Sequence, residues 1–297
     1  MPGITFTSYI PTSLIGNNSP SPTLAAEAVT GLPIPTGAFP GALFYLNEQQ
    51  ASQLSQSVVN GATPTFVCHA GWYMVVQVDA GATAANIKAG AIGAQKAIPT
   101  TFAASQASVP PQAVVTDGAT AATNKTLGVN PVIFLNTVTP GNYTIVQVQG
   151  DAHVLLAASE TVAAGDLLLS QSPGTVIDPT QSGNPTFVQA TEVVGVAEET
   201  WNSPAGALTL TSVAASSGGS AVYTGTITGG TTPNYVGNRF VITGFTNPQN
   251  NGTFLCTACS TTTLTLSNPN AVAETHAGTA TALNLMRTNV KFPFGLI

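Results

Sequence analysis

Charge is what this sequence has least of. Only 6% of its 297 residues are Asp, Glu, Lys or Arg, against roughly 25% in ordinary globular chains. The six cations, Lys88, Lys96, Lys125, Arg239, Arg287 and Lys291, are scattered among twelve acids. Binding to a phosphate backbone needs clustered cations, so nucleic acid is excluded as a partner. Three cysteines, an odd number, make no disulfide framework. No uncharged apolar run reaches the ~18 residues of a membrane span, so no membrane is expected as a partner. The opening "MPGITFTSYIPTSLIG" has neither a basic n-region nor a continuous apolar h-region. It therefore does not read as a secretory signal, and synthesis in a cytoplasm without export is expected. Neither a GxxxxGK[ST] phosphate loop nor a DxDxDG calcium loop occurs.

Hydrophobic residues make up 43% of the chain. A chain with that content and so little charge is not of the disordered class. Its surface must consist largely of Thr, Ser, Asn, Gln, Ala and Gly. Most of the sequence is short β-prone runs separated by Gly, Pro, Asn and Ser, which predicts a mainly β fold. One strand is written twice: "GWYMVVQV" from Gly71 and "GNYTIVQV" from Gly141. Alternation with period two puts Val76, Val78, Val146 and Val148 on one face and the shared Tyr and Gln on the other.

Five segments are expected. Residues 1–46 hold seven prolines, which remove ladder donors, and read as an extended arm. Residues 47–213 form a small antiparallel barrel or sandwich with one short helix, whose N-cap is Asn47. Strands are expected around Val193–Ala197 and Leu208–Val213, with turns at Ala164-Gly165-Asp166 and Pro173-Gly174. The run "AASSGGSA", 214–221, reads as a flexible linker. Residues 222–285 form a second small, sandwich-like β-module, in which Asn250-Asn251-Gly252 signals a hairpin. Residues 286–297 are a tail or closing strand.

Candidate chemistry is thin. Cys256 and Cys259 form a CxxC, but within a Thr-rich strand, with no second CxxC and no helix start to activate a thiol. Cys68 and His69 are strand neighbours that point to opposite faces, which is wrong for a shared metal. Asp151 and His153 share a face, without a nucleophile placed beside them by any motif. Glu198 and Glu199 are adjacent but diverge along a strand, unlike a glycosidase pair. The residues therefore predict no catalytic, cofactor or metal site and no enzyme.

Two stretches carry a resemblance. "VAAGDLLL…GTVIDP…VVGVAEE", residues 162–199, resembles the small β-barrel of tailed-phage capsid decoration, or cement, proteins. There an AGD turn precedes a strand and a VGVA strand closes the barrel. Residues 222–282 are similar to a β-module of phage structural and bacterial surface proteins. The resemblance implies a virion protein that binds the outer surface of the major capsid protein shell, as a homotrimer, and stabilises it. The alternative it leaves open is a tail-fibre or adhesin component binding host glycan through the C-terminal module. The termini are the expected docking segments. Ile4, Phe6, Tyr9, Ile10, Leu14 and Ile15 in the arm, with Phe292, Phe294, Leu296 and Ile297 in the tail, would each gain ~1.5–3 kcal/mol from full burial.

Overall fold

The computed structural model describes residues 41–52, 68–95, 114–117, 131–171, 174–181, 183–184 and 193–290. The arm residues Ile4 to Ile15 and the tail residues Phe292 to Ile297, expected to dock, lie outside this set. Within it the fold is mainly β, as the composition and turn spacing predict.

The body is one ten-stranded sheet that folds back on itself twice. Its first circuit uses β2 (Gly71–Val78), β3 (Ile92–Gln95), β4 (Val114–Thr116), β5 (Pro131–Phe134) and the first half of β6 (Tyr143–Leu155). The pairings run β2 to β4, β4 to β3, β3 to β5, β5 to β6 and back to β2, so five short strands enclose a core. Only the β2–β4 pair is parallel. Met74, Val76, Val78, Val115, Val132, Phe134, Val146 and Val148 fill the interior. β3 contributes Gly93 there, because a Cβ would stand 2.6 Å from the Phe134 ring.

The repeated strand explains itself in this circuit. β2 and β6 pair antiparallel, with Val75 opposite Ile145, Tyr73 opposite Gln147 and Gln77 opposite Tyr143. Each copy is thus the other's partner about a local two-fold. The predicted valine face is the barrel interior. The Tyr face is also buried, with Tyr73, Val75 and Ile145 in a second core.

The far half of β6 starts the second circuit. It pairs with β18 (Leu285–Val290), β18 with β10 (Val193–Ala197), β10 with β8 (Leu167–Gln171) and β8 with β9 (Thr175–Ile177). A parallel bridge from Val176 to Leu156 returns to the end of β6. β7 (Thr161–Val162) and β11 (Trp201–Asn202) form a separate two-stranded ladder. The expected turn precedes β8: Gly165 sits at φ +98° and the Asp166 carboxylate accepts the Ala163 N–H at 2.7 Å. β1 (Leu43–Leu46) adds to β2 as an outer strand. The chain then turns into the predicted helix, described over residues 48–52. Asn47 and Gln50 cap it reciprocally, each side chain accepting the other's backbone N–H at 3.0 and 3.1 Å.

The third unit corrects the expected segment boundaries. β12 (Leu208–Val213), β13 (Ala221–Thr226), β14 (Arg239–Thr243), β15 (Gly252–Cys259), β16 (Thr263–Leu266) and β17 (Glu274–Ala282) close a six-stranded antiparallel barrel, not a sandwich. It starts at Leu208, upstream of the run read as a linker. That run is instead the β12–β13 hairpin: Ser217 and Ser220 bridge, and Gly218 and Gly219 both take positive φ, the conformation tight hairpins require. β14 and β15 do pair as a hairpin, but through the longer loop 244–251. Asn251 serves that loop with its side chain, accepting the Phe245 N–H at 3.1 Å. β18 belongs to the body, so the barrel is inserted between β11 and β18 and joined by residues 203–207 and 283–284.

Candidate functional site

Register defines one outward face across β1, β2, β6 and β18. Tyr45 stands opposite Trp72, Trp72 opposite Gln149, Asp151 opposite Asn289 and His153 opposite Arg287. Gln149, Asp151 and His153 share this face because strand side chains alternate. Their neighbours Ala152 and Val154 point into the core with Met286 and Val290. Tyr45 is 55% exposed, Leu43 46% and Trp72 43%. The Tyr45 and Trp72 rings meet edge to face at 5.7 Å. Trp72 is the one exposed residue of β2, all seven others being buried.

Beside the aromatic pair lies a hydrogen-bonded charge network. Arg287 contacts Asp151 at 3.1 Å through Nη2 and Glu198 at 2.9 Å through Nε. The backbone N–H of Arg287 donates to Glu199 at 2.7 Å, and the Asn289 amide donates to Asp151 at 3.1 Å. Burial pushes the Asp151 carboxyl up, but hydrogen bonds from Arg287, Glu198 and Asn289 outweigh it and hold Asp151 below its ordinary value. Burial and the neighbouring Asp151 carboxylate push Glu198 the other way, above the usual range. One carboxylate is thus secured in its charged form while its neighbour takes up a proton more readily.

The face continues into a histidine pair. The His69 and His153 rings stack at 5.1 Å, and His69 Nδ1 lies 3.8 Å from Glu48. Glu48 is fixed by the Ala70 N–H at 3.1 Å. Tyr73 donates its hydroxyl to the His69 carbonyl at 2.6 Å, and burial drives its phenol far above the ordinary value, so it stays neutral. Among the described residues no group of three or more His, Cys, Asp or Glu is arranged to hold a metal ion.

Sequence reasoning singled out Asp151 with His153, and Glu198 with Glu199, as two unrelated pairs, and the structure brings both pairs to Arg287. It missed Tyr45, Trp72, Arg287 and Asn289 as members of one surface. The repeat offered a signal: its Gly-Trp-Tyr and Gly-Asn-Tyr openings differ at the position where Trp72 is exposed. The CxxC thiols are elsewhere, inside the inserted barrel. A bulge between Cys256 and Ala258 turns both inward, and both are free. Burial and the Cys259 thiol push Cys256 up to about 12, which makes it a poor nucleophile.

Comparison of the chain with protein-family models, with curated proteins and with solved structures finds no match.

Proposed function

We propose that the protein is a virion structural protein, a decoration protein of the outer capsid surface that associates with copies of itself, as a trimer, and with the major capsid protein. The observation that carries this reading is β1, the terminal strand in the order of the ten-stranded sheet. Leu43–Leu46 pairs with β2 on one side and, among the described residues, with no strand on the other. Solvent-facing edges are ordinarily guarded by Lys, Pro or a bulge, because bare N–H and C=O groups recruit further strands. The sequence of this edge, LFYL, has no such guard. In a chain with so few charges, an unguarded edge of this kind is suited to being covered in an assembly. The two runs that carry the resemblance to decoration proteins are both built into this sheet, the AGD run as the turn before β8 and the VGVA run as β10 between β8 and β18, which supports the same reading.

Two measurements test it. Sedimentation velocity of the purified chain should give a species of three times 30.0 kDa, and Leu43→Lys, which places a charge on the edge strand, should dissociate it. Electron microscopy of tailed-phage heads, stripped of their own decoration protein and incubated with the chain, should show repeated extra density on the shell. A monomer that leaves the shell bare removes the proposal. Density confined to a tail tip would reassign the protein to receptor binding.

A further inference from the structure

We propose that the outward face of β1, β2 and β6 binds a neutral saccharide, with Trp72 and Tyr45 as the stacking platform and Gln149, Asp151 and Asn289 as the polar rim. This site is independent of the edge-to-edge association proposed above, since it uses the face of the strands and not the edge of β1.

The first argument is where the aromatics lie. β2 buries seven of its eight residues, yet its largest side chain is outside at 43% exposure. The other tryptophan, Trp201, packs against the core. Tyr45, directly opposite Trp72, is more exposed still. Two aromatic rings left about half in water and in contact at 5.7 Å form a contiguous patch, the kind of exposed apolar surface that marks a binding site.

The second argument is what surrounds them. A protein partner would be expected to meet a broad apolar core with charges excluded from it. Here the apolar part is three side chains, and immediately alongside stand Asp151, Glu198, Glu199 and Arg287, with Glu48 beyond them. These are five of only eighteen charged residues in the whole chain. A pyranose ring suits such a surface. Its C–H face stacks on an aromatic ring, and its hydroxyls, each donor and acceptor, meet amide and carboxylate groups held on rigid strands. Asp151 and Asn289 are already locked together by a hydrogen bond at 3.1 Å, so the polar rim is preorganised.

The third argument is sign. Asp151, Glu198 and Glu199 meet one guanidinium and Glu48 meets the His69 imidazole, so with the His69 and His153 rings uncharged the surface is net negative and repels uronate, sialate or phosphate groups. An uncharged oligosaccharide is the ligand that meets both the rings and the carboxylates.

Saturation-transfer NMR with four defined probes tests this: maltotriose, cellotriose, triacetylchitotriose and trigalacturonate. At least one neutral trisaccharide should bind with a dissociation constant on the order of 1 mM or tighter, while trigalacturonate gives no transfer. Trp72→Ala should weaken binding at least ~10-fold, Trp72→Phe should retain part of it, and Gln149→Ala should weaken it less. Tyr45→Ala gives the same test should Trp72→Ala fail to fold by circular dichroism. Three results would overturn the site: no neutral probe binding, binding unaffected by Trp72→Ala and Tyr45→Ala, or binding of trigalacturonate alone. Sedimentation separates the two proposals. If Trp72→Ala dissociates the oligomer, the face is a contact between copies and the saccharide site is wrong.

Discussion

Gly195→Ala probes the joint where the chain's last described strand is built into the body. Gly195 lies in β10, opposite Val290 of β18 on one side and Leu168 of β8 on the other. A Cβ there would stand 2.3 Å from the Asn289 carbonyl oxygen and 2.9 Å from both its carbon and Thr288 Cγ2. The obstacle is backbone, so no rotamer change relieves it and the two strands must part. Overpacking costs ~1–3 kcal/mol, and each ladder hydrogen bond lost adds ~0.5–1.5 kcal/mol. A total near 3 kcal/mol follows, which for a body of this size lowers the melting temperature by roughly 6–12 °C. Gly165→Ala is the matched control. Gly165 has nothing within 4 Å but sits at φ +98°, so alanine there meets only the conformational penalty of ~1–2 kcal/mol. Tryptophan fluorescence is the assay, because Trp72 and Trp201 both belong to the body and residues 208–282 contain none. The steric reasoning fails if Gly195→Ala melts with the wild type, or if Gly165→Ala is the more damaging change.

Three further outcomes are expected. Arg287→Met should cost only ~1 kcal/mol, since the side chain is 45% exposed and its ion pairs are screened; the loss should shrink at high salt in denaturant titrations. Asp151, held below its ordinary 3.8, contributes stability that is complete above that value and lost as pH falls through its lower native value. Asp151→Asn should therefore flatten the acid limb of a melting-temperature profile below about pH 3.8. Cys256 and Cys259 are buried in the barrel and Cys68 in the body, so iodoacetamide at pH 8 should add no mass to the native protein and three adducts after unfolding, by intact mass.

What could be read beforehand was whatever is local. Asn47 as a cap, the AGD turn and the two Val-rich strands are set by a few neighbouring residues, and each forms as its spacing requires. The Gly218-Gly219 run misled because flexible tether and tight hairpin share one composition; only the pairing of Ser212 with Thr224 across it tells them apart. The charge network was illegible for a different reason. Arg287 finds Asp151 across 136 positions and Glu199 across 88, and no periodicity encodes such meetings. Trp72 had the pattern of a core residue and was left outside by the neighbours that its register selects.

The insertion of a complete barrel between β11 and β18 sets a timetable for synthesis. When β6 leaves the ribosome its partner β18 does not yet exist, and at ~5–20 residues per second the wait is on the order of ten seconds. The barrel of residues 208–282 contains all six of its own strands and can close once residue 282 is out, ahead of β18. The body's second circuit cannot close until residue 290 is out. Until then β6 and β10 each carry a bare edge, so a product truncated just short of β18 would hold a finished barrel on an open, adhesive body. The final described strand thus acts as a completeness check on the body's second circuit.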